Sequence, residues 1–200
     1  MKTLTLFLLM TASLFGASIN ESLLKVHATL IPKISIMDYK FKQKIKNDSI
    51  TIAIVYKNNN FKDAQSLKNK IDTRYKNGIK SYKVESEIVT YADIKQVDAN
   101  IYYLFPSNEE DIKHSIEQAD KHNALTFSYL EDDLQYGVMV SLNISKKIKP
   151  ILNLDAIRIH NISFRPVLID ISSIYKRERD SDIKKLKERS FSLYNKIYRV

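Results

Sequence analysis

"ITIAIVYKNNNFKDAQSLKNKIDTRYKNG", residues 50–78, decides the fold. β-Branched residues dominate positions 50–56, and neither alternate face is polar throughout. That is the signature of a strand buried on both sides. At Phe61 the period changes. Phe61, Ala64, Leu67, Ile71 and Tyr75 fall on one helical face, and Gly78 stands where such a helix stops. A strand with two buried faces needs a layer on each. A strand followed by an amphipathic helix is the first half of a parallel crossover.

The same alternation continues downstream. "YKVESEIV", residues 82–89, reads as a strand whose alternate polar residues suit a sheet edge, and "ANIYYLF", 99–105, as another buried strand. "SNEEDIKHSIEQADKHN", 107–123, predicts a helix with Ser107 as N-cap, Glu110 completing a capping box, and Ile112, Ile116 and Ala119 buried. "ALTFSY", 124–129, and "GVMVSLNI", 137–144, predict two more strands. Upstream, Leu23, Leu24, His27, Leu30, Ile31 and Ile34 recur at helical spacing, with Pro32 expected to end or kink that helix. Near the end of the domain, Asn153 is expected to cap a short helix with Leu154, Ala156 and Ile157 turned inward. Asn161 closes it just after His160, and Pro166 opens a last helix that buries Val167, Leu168 and Ile171. The expected architecture is α/β: a Rossmann-like three-layer sandwich with a mostly parallel sheet, residues 18–175, plus a C-terminal helical extension.

The two ends read differently. "MKTLTLFLLMTASLFGAS" carries Lys2, an apolar run from Leu4 to Phe15 too short to span a bilayer, and the small residues Gly16 and Ala17. This predicts a secretory signal peptide over residues 1–17 and an exported chain with no membrane span beyond it. At the other end, residues 176–200 are highly charged, yet Ile183, Leu186, Leu193 and Ile197 make a narrow apolar seam. A charged C-terminal helix with this seam packs on its own domain or meets a partner or a second copy. Those four residues are the candidate partner-binding positions.

Composition removes several function classes. Glycine occurs only at positions 16, 78 and 137, whereas phosphate-cradling loops need several glycines close together. With no cysteine there is neither a disulfide nor a cysteine-ligated zinc. His114 and His122 lie eight residues apart on one predicted helix, two turns and too far for a single ion, so no metal or other cofactor is expected. The acidic run 109–111 suits a helix N-terminus, and 131–133 reads as an exposed turn. No G-x-S-x-G elbow is present. No catalytic residue is assigned, and the chain is not expected to be an enzyme. The net charge of +9 is foremost a solubilising lysine surface. In an exported protein it suits an acidic partner or an anionic membrane rather than nucleic acid. Small ligands of open parallel sheets sit beyond the carboxyl ends of the strands. Here Lys57, Asn58, Asn59, Ser107 and Asn108, with Pro106 between the two groups, are the candidate ligand-binding positions.

The segment "YGVMVSLNISKKIKPILNLDAIRIHNISFRPVLIDIS", 136–172, together with the apolar helix before "SITIAIVYKNN", resembles the YfiR-like family of periplasmic proteins. "NLDAIRIHN" is similar to that family's "N-L-D-A-A" helix, and "VLIDIS" to its final helix. Asn161 stands where the family usually has glycine, Arg165 and Pro166 replace a serine-rich start, and "MDYK" occupies the region of a common "W-P" pair. The resemblance implies a non-enzymatic periplasmic regulator. Such a protein binds the periplasmic part of an inner-membrane diguanylate cyclase or sensor kinase and restrains cyclic-di-GMP and biofilm signalling. The alternative reading is a periplasmic small-ligand-binding protein that feeds a transporter or sensor.

Overall fold

A computed structural model describes residues 19–144 and 148–176. Helix α1, Glu21–Ser35, opens the fold; Asn20 caps it by accepting from the Ser22 and Leu23 N–H groups. A single turn, α2, Phe41–Lys44, leads into strand β1, Ser49–Tyr56, then α3, Phe61–Arg74, and β2, Lys83–Thr90. Strand β3, Ile101–Leu104, helix α4, Glu109–Lys121, strands β4, Leu125–Ser128, β5, Val140–Ile144, and β6, Ile148–Leu152, follow. Two short helices, α5, Leu154–Ile159, and α6, Pro166–Ile171, precede the final strand β7, Ser173–Ile174.

The strands form one sheet of order β2-β1-β3-β4-β5-β6-β7. The first five run parallel, β6 is antiparallel to β5, and β7 is parallel to β6. This is the expected α/β architecture. Chain order reverses between β1 and β3, which makes their carboxyl ends the topological switch point. Alternation along β1 sends Ile50, Ile52 and Ile54 into the core beneath α1 and α3, and Ala53 and Val55 into the core beneath α4. Strand β3 divides likewise, with Ile101 and Tyr103 on the first side and Tyr102 and Leu104 on the second. β2 is the edge strand its polar alternation indicated. β5 and β6 pair over five positions, but β4 reaches only Val140 and Ser141 of β5.

Several expectations are corrected. α1 does not end at Pro32 but continues through it to Ser35; a proline in the last turn forfeits only one backbone hydrogen bond, and Leu24, Ala28, Ile31 and Ile34 are buried regardless. The N-cap of α4 is Asn108, which accepts from the Asp111 N–H at 2.9 Å, while the Ser107 hydroxyl turns to the Asp111 carboxylate. Residues 131–136 are not a plain exposed turn but a 3-10 helix with Asp133 buried. β6 was not foreseen as a strand, and it carries Pro150 opposite Leu142. In α6 only Leu168 is buried; Val167 and Ile171 are 54% and 51% exposed, since a six-residue helix at the sheet margin presents one side chain to the core. Asn153, Asn161 and Pro166 hold the places expected of them: N-cap of α5, left-handed closure at φ 55°, and first turn of α6. The segments 1–17 and 177–200, including Ile183, Leu186, Leu193 and Ile197, lie outside the described residues.

The turn between α3 and β2 depends on Gly78. Its φ is +73°, and a Cβ there would stand 2.2 Å from the Tyr82 carbonyl oxygen. Gly78→Ala is therefore expected to lower unfolding stability by about 2 kcal/mol or more in urea melts. Asn77→Ala, one residue away at an exposed position, is the control and should stay within about 0.5 kcal/mol of the parent.

Candidate functional site

The switch point gathers the residues singled out there. Lys57 ends β1, Asn58 and Asn59 are exposed in the 3-10 turn that leads to α3, and Ser107 and Asn108 lie between β3 and α4. Lys57, Ser107 and Asn108 converge on Asp111. The Lys57 ammonium is 2.8 Å from its carboxylate, and the Ser107 hydroxyl donates to the same oxygen. Burial pushes the Asp111 carboxyl up, but the Lys57 and Ser107 hydrogen bonds outweigh that and hold it below the ordinary carboxylate value. The cation available to an anionic ligand is thus already neutralised from within.

Beneath that edge, the cores on either side of the sheet each hold a buried titratable group. On the α4 side, Asp133 is 3% exposed and accepts from the Ser128 hydroxyl; burial pushes its pKa up to about 6. Nearby, the Tyr91 hydroxyl donates to the Phe105 carbonyl at 2.5 Å; burial and then the Asp133 and Asp111 charges push this phenol well above its usual value. On the α1 side, His27 Nδ1 and the Tyr103 hydroxyl share a hydrogen bond at 2.6 Å. His27 Nε2 has no hydrogen-bond partner among the described residues. Burial lowers the His27 pKa to about 3, so the ring is neutral at any physiological pH. The Tyr129 ring lies 5.8 Å from the His27 ring and stacks on Phe105, and its hydroxyl accepts from the Asn20 N–H. An aromatic layer thus joins the start of α1 to the ends of β3 and β4.

The remaining histidines are bound up in surface pairs. His122 is 3.0 Å from Asp98, His114 is 3.8 Å from Glu117, and His160, at the end of α5, contacts Asp120 of α4. No group of three or more His, Asp or Glu side chains capable of holding a metal occurs among the described residues. Asp38 does a different job. It is 5% exposed, pairs with Lys44 at 2.7 Å and accepts from the Ser163 N–H. It therefore ties the end of α1 to the segment between α5 and α6. "MDYK" is the hinge of that tie, with Tyr39 N–H donating to the Ser163 carbonyl and Arg165 N–H to the Met37 carbonyl.

The comparisons with known proteins can be read against this geometry. The YfiR/HmsC-like family model matches residues 40–173, from the start of α2 into β7. The chain belongs to the YfiR/HmsC-like family. The match takes in the sheet up to the first residue of β7 and the Asn153–Ser172 signature, while α1, with Leu24, Ala28, Ile31 and Ile34 buried, precedes it. No curated protein sequence matches this YfiR/HmsC-like chain. Among solved structures it is similar to a conserved domain protein of Vibrio cholerae, at 14% identity and TM-score 0.55, over 76% of this chain and 60% of that one. It is also similar to an ABC domain in complex with L-Trp from Streptococcus pneumonia, at 9% identity and TM-score 0.52, with the same coverage. A ligand-free, open substrate-binding protein with adhesive properties from Clostridium difficile gives 10% identity and TM-score 0.50 over 74% of this chain and 58% of that one. At these identities the likeness is one of fold, shared with substrate-binding domains, and the chain spans about 60% of the length of these structures.

Sequence reasoning missed His27, Asp133 and Asp38 as buried polar groups. His27 sat within an apolar helical stripe, which was the available signal; Asp133 and Asp38 sat among polar neighbours, where nothing marks one carboxylate as buried. His27 and Asp133 act on stability with opposite sign. The native His27 resists protonation that the unfolded chain accepts near pH 6.5, so its contribution is lost as pH falls from about 6.5 towards about 3. The native Asp133 takes up a proton at about pH 6, where the unfolded chain waits until about 3.8; its contribution is therefore gained as pH falls through that window. Each is worth up to about 1.4 kcal/mol per pH unit. Asp133→Asn should raise stability at pH 7.5 by about 1 kcal/mol or more and make it fall steeply between pH 6 and 4. His27→Phe should reverse that slope. Urea midpoints measured across this range check both.

Proposed function

We propose that this chain is a periplasmic, non-enzymatic regulatory protein that binds and modulates an inner-membrane signalling protein of the diguanylate cyclase or sensor kinase type. The observation that carries the reading is the family match over residues 40–173, which spans the described sheet up to the first residue of β7. YfiR-like proteins are periplasmic, and the opening segment has the pattern of a secretory signal. The geometry supports a protein-binding role over chemistry. Asp111, Asp133 and His27, three of the groups with shifted proton affinity, are engaged by Lys57, Ser128 and Tyr103. The mode of action is linkage. The regulator binds one conformation of the receptor's periplasmic part more tightly than another and moves the population, a coupling of typically about 1–3 kcal/mol.

The second reading, a periplasmic small-ligand binder, draws on the fold shared with substrate-binding domains and would use Lys57, Asn58, Asn59, Ser107 and Asn108. The ion pair that closes Lys57 onto Asp111 weighs against it for anionic ligands.

Affinity enrichment of the full chain from membranes of its native host, in replicate, is expected to recover an inner-membrane protein that carries a periplasmic domain joined to a cyclase or kinase module. Deletion of the gene is expected to change cellular cyclic-di-GMP or the kinase's output. If no such protein is recovered and neither output moves, the regulatory reading falls.

A further inference from the structure

A groove with a volume of about 890 Å³ runs between α1 and α3. Helix α3 lines it at every turn: Phe61 and Lys62, Gln65 and Ser66, Asn69 and Lys70, Thr73 and Arg74. These are consecutive steps of four residues, the ridge spacing into which a second helix packs. α1 supplies the opposite wall through Lys25, Ala28 and Thr29, one turn of small residues below a cation. The α3 side of the groove runs from Phe61 to Arg74, about 20 Å of helix and the length of a partner helix of about 13 residues. Its upper end holds Phe61, an aromatic side chain left 46% exposed.

Charge defines the occupant. Four cations line the groove, and no carboxylate is among the lining residues. Lys70 is met from outside by Glu21 at 2.7 Å; Lys25, Lys62 and Arg74 have no carboxylate within ion-pair distance among the described residues. Cations set in a concave groove suit a discrete acidic segment better than a flat anionic bilayer. A second copy fits poorly: groove against groove would set cation on cation, and groove against the acidic start of α4 is a head-to-tail contact rather than a self-complementary one.

We propose that the groove between α1 and α3 is the docking site for an acidic amphipathic helix in the periplasmic part of the signalling partner. Its apolar residues meet Phe61 and Ala28, and its carboxylates meet Lys62, Arg74 and Lys25. The proposal rests on the regulatory reading above.

The test is photo-crosslinking in cells from the full chain, with p-benzoylphenylalanine placed at Asn69 or Thr73 in the groove, or at Glu117 on the α4 face. The groove positions are expected to cross-link to an acidic helical segment of an inner-membrane signalling protein, and Glu117 is not. Lys62→Glu with Arg74→Glu should lower that yield about tenfold or more, and the milder Lys62→Gln with Arg74→Gln should lower it less. Both pairs change exposed side chains only, and equal urea midpoints show that the fold is kept. Cross-links to such a protein from Glu117 but not from the groove overturn the docking site and leave the regulatory reading standing. Groove cross-links to lipid or to a second copy alone, or a yield that charge reversal does not move, also overturn it. If neither face captures an inner-membrane signalling protein, both readings fall.

Discussion

Strand β1, one place in from the sheet edge, packs apolar side chains on both of its faces. Ile50, Ile52 and Ile54 are buried on one side, and Ala53 and Val55 on the other. Each fully buried aliphatic side chain is worth about 1.5–3 kcal/mol, and that gain exists only if both faces are covered. Parallel neighbours and helical crossovers follow from this constraint, because parallel strands cannot be joined by tight turns. α3 covers β1 and β2 on one side, and α4 covers β3 and β4 on the other. α1, which precedes the family match, completes the first layer with Leu24, Ala28, Ile31 and Ile34. The helix that finishes the core is the same one that forms a wall of the outer groove.

Burial on both sides also dictates what happens to polar groups inside. Each must find a partner or shift its proton affinity. Asn100 accepts from the Thr51 N–H and hydroxyl and donates to the Lys44 carbonyl, so it is satisfied without charge. Among the described residues Asp133 accepts from Ser128 and becomes a weaker acid, and His27 hydrogen-bonds with Tyr103 and becomes a weaker base. At the switch point, where open α/β sheets can seat a ligand, the chain puts an ion pair between Lys57 and Asp111. The proposed regulatory role therefore looks to outer surfaces for recognition.

Much of this was legible in the chain. β1 and α3 declare themselves because an unbroken β-branched run gives way to helical spacing within a few residues. β2 reads as an edge because alternation leaves one face polar. Asn153, Asn161 and Pro166 occupy positions where few residues are tolerated, so their roles carry through. Other features depend on contacts made far along the chain. Ser107 and Asn108 are adjacent residues of equal capping ability, and only the path of the loop chooses between them. Proline is rare inside sheets, yet β6 accepts Pro150 opposite Leu142. The apolar residues of α6 read as core because their spacing is helical, but the sheet ends before it can cover them. Phe61 and the cations along α3 had no sequence signal of shared purpose, since α1, forty residues earlier, supplies the other wall.

The unequal pairing of β5 has a consequence for solubility. β4 stops at Ser141, so along the described residues Leu142 to Ile144 one flank of β5 carries backbone N–H and C=O groups that no strand engages. An open flank of this kind is a template on which another chain can add a strand. The sequence that follows is Ser145, Lys146, Lys147, Ile148 and Lys149. A sequence this rich in lysine directly after an open strand flank disfavours edge-to-edge addition of a second copy, since like charges repel at contact distance, where the net charge of +9 acts only weakly.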